Sequence, residues 1–270
     1  MSYYLRRLSG NVWGGGFSSF AEDEVTAVVS ARLGGASKAP YRALNLAFHV
    51  GDDAATVRQN RQILCRALFI DPNRITAAQQ VHGCRVYRVT AADAGKGSAD
   101  HDSAIADCDA LVTNEKNLPL LICVADCVPL MFYDEKRAAI GIAHAGRKGT
   151  ALNIAAKTIS TMTREFGSDP ADILAAIGPS IGKCCYEVDA ALADEFADYE
   201  DCTERSTSAN DGKAHLDLWA INRQQLIRCG VKAENIDVAG ICTCCEHGWY
   251  FSYRADGKTT GRIGALMMLK

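Results

Sequence analysis

The sequence predicts an α/β fold of the α+β kind, in a single domain covering residues 1–270. Three observations carry this. Continuous apolar runs of strand length recur along the chain, and three of them crowd into residues 118–143. Segments with apolar residues at helical spacing and capping signals at their ends separate the runs, near 53–68, 152–166 and 218–229. Finally, the 270 residues contain no internal repeat and no linker, and that length is within reach of one large domain.

Hydrophobic residues make up 48% and charged residues 23% of the chain, so a sizeable core can form. The net charge of −3 argues against nonspecific nucleic-acid binding, which needs a basic face. No apolar run approaches the roughly 20 residues of a membrane span. The N-terminal MSYYLRRLSGNVWGGG lacks the apolar core of a signal peptide, so the expected location is cytoplasmic, with neither nucleic acid nor membrane as partner. The sequence leaves monomer and homodimer both open. Twelve cysteines without an export signal read as reduced thiols, some of them buried as small hydrophobes.

In chain order, Gly14–Gly16 reads as a glycine-rich turn and Val25–Val29 as a strand. Residues 30–37 form a loop with a buried-looking cation, Arg32. Asp52 or Asp53 caps a helix that runs to about Leu68 and stops before Asp71-Pro72. Asn60 and Arg61 fall near its apolar face, where polar groups usually bond to buried backbone. Ile75–Val81 and Arg85–Thr90 read as strands around His82-Gly83. Residues 91–108 form a long polar loop, and a strand begins at Asp109.

The centre of the chain is Leu118–Gly149. Leu118–Val124 reads as a strand buried on both faces. Pro129–Tyr133 and Ala138–Ala143 flank the charged turn 134–137 and read as a hairpin. Cys127 and His144 stand just outside its open end, so they should meet in space. The basic turn Gly146-Arg147-Lys148-Gly149 then opens a helix stopped at Gly167, a weak anion-binding signal. Ile173–Ile177 is a strand, 199–214 a polar surface loop, and Leu218–Cys229 a helix capped by Asp217. Ile236–Ala239 and Ile263–Leu269 complete the strands.

His82, Cys127 and His144 can form a His-Cys-His set, the donor chemistry of a catalytic zinc that keeps one position open. The same residues can also be a thiol and its base, or ordinary packing at strand ends. Cys242, Cys244, Cys245 and His247 form a rival cluster, but C-x-C-C-x-H does not match the usual pair-plus-pair zinc spacing. The adjacent Cys184 and Cys185 would make a strained disulfide.

Several stretches resemble the YfiH/laccase-domain family, once called multicopper polyphenol oxidases and now regarded as purine nucleoside enzymes. They include RLGGAS (32–37), PYRALNL (40–46), HVGDD (49–53), QVHG (80–83), DALVTN (109–114), ADCVP (125–129) and HAGRKG (144–149). IGPSIGKCCYEV (177–188), HLDL (215–218), Cys242-Thr243 and FSYR (251–254) follow in family order. The resemblance implies a single domain of mixed β-sheets packed together and flanked by helices. It implies metal ligands at His82, Cys127 and His144, zinc as the cofactor, and copper as the alternative.

It further implies phosphorolysis of adenosine, inosine and methylthioadenosine, with adenosine deamination, so purine nucleosides and phosphate are the expected partners. Catalytic roles fall on Cys127, His144 and Asp126, and substrate or phosphate contacts on Arg32, Asn45, Arg147 and Lys148. Copper-dependent phenol oxidation has also been attributed to the family. However, multicopper sites need many histidines, and the chain has six. A metal-free cysteine hydrolase using Cys127 and His144, and a non-enzymatic nucleotide-binding module, are the other readings. The family usually has HAGWRG where this chain has HAGRKG, so an aromatic side chain is lost while basic charge remains.

Overall fold

The computed structural model describes residues 3–205 and 212–270. Its architecture is mixed α/β, with two six-stranded sheets and one small sheet. In spatial order the first sheet is Tyr3–Ser9, Val12–Phe17, Val25–Ser30, Ile263–Leu269, Leu120–Val124 and Thr76–Ala77. The second is Ile236–Val238, Leu174–Ile177, Val128–Asp134, Ala139–Ala145, Ala110–Thr113 and Val86–Arg88. Both are mostly antiparallel, with parallel pairing at Thr76–Ala77 and at the two edges of the second sheet. The small sheet joins Glu187–Asp189, Lys213–Leu216 and Thr203–Arg205.

The apolar runs are continuous because both large sheets are covered on both faces. Leu120, Ile122 and Val124 pack between the sheets with Met131, Tyr133, Ile140 and Ile142. Their alternate neighbours point outward. Leu121 and Cys123 meet Leu64 and Cys65 of the helix Ala54–Leu68. Leu130, Phe132 and Ala143 meet Ile159 and Met162 of the helix Ile154–Phe166, and Leu226 of the helix Leu218–Arg228. Asp53 and Asp217 cap their helices by accepting the N–H of Thr56 and Ala220. Asn60 donates to Ser37 Oγ and to the Asn45 carbonyl, each at 2.8 Å, and Arg61 donates to the Leu46 carbonyl at 2.9 Å. The polar pair on the first helix therefore ties it to the loop beneath.

The structure departs from the sequence expectations in five places. Gly14–Gly16 is not a turn but lies inside the strand Val12–Phe17. A side chain at Gly15 would overlap the ring of Tyr3 on the neighbouring strand, so glycine serves close packing there. The strand expected over 75–81 shrinks to Thr76–Ala77. Beyond it, the Gln80 side chain takes over the edge by donating to the Cys123 carbonyl (2.9 Å) and accepting its N–H (2.8 Å). The strand expected over 85–90 likewise shortens to Val86–Arg88.

The helix after Gly146 is broken: Arg147–Ala151 is a short piece, separated from Ile154–Phe166 by Asn153 in the left-handed region. Within the expected surface stretch 199–214, Thr203–Arg205 and the start of Lys213–Leu216 are strands. Residues 206–211 of that stretch lie outside the described residues. Among the described residues, no helix is long and apolar enough to cross a membrane.

Candidate active site

The hairpin pairs Val128 with Ala145 and Pro129 with His144, so its open end holds Cys127 and His144 together. His144 is thus inside its strand rather than just beyond it. The next strand, Ala110–Thr113, pairs with the other edge of Ala139–Ala145, and Asp109 immediately precedes it. Asp109 is fully buried. Its carboxylate accepts the N–H groups of Val81 (3.2 Å), His82 (3.0 Å) and Gly83 (2.7 Å), holding the bend in which His82 adopts φ 59°. It also accepts from His144 Nδ1 at 2.8 Å. A carboxylate only accepts, so the proton of neutral His144 is on Nδ1 and its Nε2 lone pair is free for the cluster.

The ligand atoms of His82, Cys127 and His144 all lie within 4.8 Å of one another. Cys127 Sγ is 4.0 Å from His82 Nε2, and the imidazole centroids are 4.7 Å apart. A tetrahedral zinc with Zn–S of about 2.3 Å and Zn–N of about 2.0 Å would place such atoms about 3.6 Å apart, so the set fits that ion. Asp109 supplies the outer carboxylate that orients a ligating histidine in such sites. Gly146 lets the chain pass close by. A Cβ there would lie 2.8 Å from Cys127 Sγ and 3.2 Å from His82 Cδ2.

The electrostatics of the trio are coupled. Burial opposes the Cys127 thiolate, but the His144 charge and the hydrogen bonds from His144 and His82 outweigh it and bring the thiol down to about 6. Burial likewise opposes charge on His144, while the thiolate and Asp109 raise it to about 9. Asp109 sits below the usual carboxylate range: burial works against its charge, but the hydrogen bond from His144 prevails.

The trio opens on a cavity of about 620 Å³. Asp126, Arg147 and Lys148 line it with Gln80, Ile181, Tyr186, Tyr253, Arg254 and Arg262. Asp126 adopts φ 78° just before Cys127. Its oxygens accept from Thr243 Oγ1 and from the Arg254 N–H, each at 2.7 Å, which fixes the bend that aims Cys127. Arg147 pairs with Glu195 at 2.7 Å, while Lys148 is exposed. Arg254 donates to the carbonyls of Cys185 and Glu187 at 2.9 Å. Arg262 donates to the carbonyls of Thr260 and Gly261. Four cationic side chains therefore face one carboxylate in the lining.

Two of the sequence-expected contacts stand away from the cavity lining. Arg32 bonds to the carbonyls of Arg42 and His247 and to Asp256, and packs over Phe251. Asn45 is fully buried and accepts the N–H groups of Ala47 and Arg262. Both hold loops together. Conversely, sequence reasoning missed Asp109, Tyr186, Tyr253, Arg254 and Arg262. Asp109 had a signal: a carboxylate opening an apolar strand, with no helix to cap. Tyr186, Tyr253 and Arg254 lie within stretches already noted, CCYEV and FSYR. Tyr186 and Tyr253 give aromatic wall to a cavity whose HAGRKG turn lacks tryptophan.

Residues 26–270 match the family described as multi-copper polyphenol oxidoreductase laccase. Purine nucleoside phosphorylase YlmD of Bacillus subtilis (strain 168) is 38% identical over 248 residues, covering 92% of this chain and 89% of that protein. Adenosine deaminase RL5, from an unknown prokaryotic organism, is 34% identical over 226 residues, covering 82% and 85%. The crystal structure of YlmD from Geobacillus stearothermophilus superposes with a TM-score of 0.92 at 35% identity, covering 98% of both chains. By family match, sequence identity and fold alike, this chain belongs to the YfiH/laccase-domain family.

Proposed function

We propose that this protein is a purine nucleoside phosphorylase acting on adenosine, inosine and methylthioadenosine, with zinc held by His82, Cys127 and His144. The observation that carries the reading is the joining of that donor set to a cavity rich in cationic and aromatic side chains. Relatives named as purine nucleoside phosphorylases, YlmD among them, support it. Bound there, zinc would supply Lewis-acid polarisation of a substrate oxygen.

The chain's own residues do the rest. Lys148, with Arg254 and Arg262, draws phosphate into the cavity. Tyr186 and Tyr253 offer faces on which a purine stacks. A phosphate oxygen bonds to the anomeric carbon as the glycosidic C–N bond breaks, and the purine leaves with the electron pair. The cationic wall stabilises the negative charge that develops on the departing purine. Asp126 positions Cys127 through its left-handed bend, and Asp109 holds His144 in the tautomer that presents Nε2.

The relative named adenosine deaminase RL5 favours a second activity at the same site, hydrolytic removal of the purine amino group. We place the protein in the cytoplasm, as a monomer or homodimer in one domain. The test is chromatography of products from zinc-loaded protein incubated with adenosine, with and without phosphate. Adenine with ribose 1-phosphate, formed only when phosphate is present, is the expected result, and inosine reports deamination. Neither product from fully loaded protein would overturn the reading.

A further inference from the structure

Four thiols outside the active-site trio converge at the other end of the loops that wall the cavity. The strands Leu174–Ile177 and Ile236–Val238 run parallel and adjacent, so the segments after them leave the sheet side by side. They stay joined: Ser180 N–H donates to the Ile241 carbonyl at 3.2 Å, and Thr243 N–H to the Ser180 carbonyl at 3.0 Å. This brings Cys184 and Cys185 of one segment to Cys242 and Cys245 of the other.

The four sulfurs all lie within 4.8 Å of one another. Cys245 Sγ is 3.4 Å from Cys185 Sγ and 3.6 Å from Cys184 Sγ. In a tetrathiolate zinc site with Zn–S of about 2.3 Å, sulfurs stand about 3.8 Å apart, within the spread seen here. Cys242 is buried, and its sulfur accepts the Gly182 N–H at 3.2 Å, a bond that favours the thiolate. Cys242 and Cys245 also have C-x2-C spacing, the usual half of a structural zinc site. The other half is the adjacent pair Cys184-Cys185. His247, grouped with these cysteines on sequence, turns instead toward Asp256, 3.5 Å away.

We propose that Cys184, Cys185, Cys242 and Cys245 form a second metal site, a closed tetrathiolate centre for one zinc-class ion. Four soft sulfur donors without imidazole or carboxylate select a thiophilic, tetrahedral cation. Binding releases the thiol protons to solvent and needs no oxidant. With all four positions taken by protein, the site is structural. It clamps the segment that carries Ile181 and Tyr186 to the segment that carries Thr243 and Arg254. Both segments reach the catalytic trio: the Ile181 N–H donates to the Asp126 carbonyl at 2.9 Å, while Thr243 and the Arg254 N–H grip the Asp126 carboxylate, next to Cys127.

The test is metal counting and electronic absorption on full-length protein, purified under reducing conditions and loaded with cobalt(II). Wild type should take up two ions per chain. Cys245→Ser should take up one and lose most of the sulfur-to-cobalt charge-transfer intensity. His82→Asn should also take up one, yet keep the all-thiolate spectrum, which shows the second site without disturbing its own cysteines. Retention of two ions by Cys245→Ser would overturn the proposal. So would a single ion per wild-type chain that survives Cys245→Ser unchanged. A disulfide from Cys245 to Cys184 or Cys185, found by peptide mapping of the unreduced protein, would replace the metal with a covalent clamp.

Discussion

Asp109 Oδ1 accepts a hydrogen bond from His144 Nδ1 at 2.8 Å, and the same oxygen accepts the backbone N–H of His82 at 3.0 Å. One buried carboxylate thus orients one histidine on the central hairpin and fixes the bend that carries the other. The two histidines come from distant parts of the chain, and this residue sets their spacing.

Asp109→Asn keeps the shape but replaces one acceptor oxygen with a donor. Loss of such an outer carboxylate typically weakens metal binding 10–100-fold. Competition with a chromophoric chelator should show a loss of that size relative to wild type. An unchanged affinity would reduce Asp109 to a folding role.

Cys127 and His144 form a thiolate–imidazolium pair when no cation lies between them. The Cys127 thiol falls from its ordinary 9.0 to about 6, so its contribution to stability is present at higher pH and is lost as pH drops through 6. His144 rises from 6.5 to about 9, so its contribution is present at low pH and is lost as pH climbs through 9. The pair exists between those limits. In chelator-stripped protein, alkylation of Cys127 by iodoacetamide should reach half its maximal rate near pH 6. His144→Gln should move that midpoint upward, and zinc should suppress the reaction. A midpoint already above 8 in wild type would rule out the pair. Turnover that survives stripping would favour the metal-free hydrolase.

Gly146 has φ −69°, a conformation alanine adopts without strain. The added methyl would nevertheless sit 2.8 Å from Cys127 Sγ. Gly146→Ala should therefore change unfolding free energy by no more than about 1 kcal/mol, because the backbone tolerates it. Zinc affinity should fall at least about tenfold, since one ligand must shift. Parallel denaturation and metal titrations separate the two effects. Equal losses in both would mean that glycine is needed for folding rather than for the site.

The legible parts of the sequence were those where local pattern and tertiary role coincide. Leu118–Val124, the hairpin and Ile263–Leu269 are apolar on alternate positions of both faces, so any reading finds strands there. Cys127 and His144 follow from the hairpin alone. Long-range pairing was not legible: nothing near Cys184-Cys185 announces Cys242 and Cys245, whose approach depends on a parallel strand pair formed far apart in sequence. Arg32 and Asn45 look like ligand contacts because they are polar residues in loops. Their partners turn out to be backbone groups and carboxylates that only the folded chain supplies. Gly15 looks like a turn until Tyr3 is seen lying across it.

Arg147 and Lys148 are adjacent cations in the cavity lining, but they are not equivalent. Arg147 is held by Glu195 at 2.7 Å, so its charge is already partly compensated. Lys148 is exposed and stands at the cavity edge. A hydrogen bond to a charged group typically contributes about 1.5–3 kcal/mol, and about 1.4 kcal/mol is a factor of ten in affinity. Lys148→Ala should therefore raise the KM for phosphate about tenfold and leave the KM for adenosine within twofold. Arg147→Ala should have the smaller effect on phosphate, because it also frees the carboxylate of Glu195. Steady-state kinetics with phosphate varied at saturating adenosine, then the reverse, distinguish these outcomes. A larger phosphate defect in Arg147→Ala would show that the Glu195 pair opens when substrate binds. No defect in either variant would move the anion to Arg254 and Arg262 on the opposite loops.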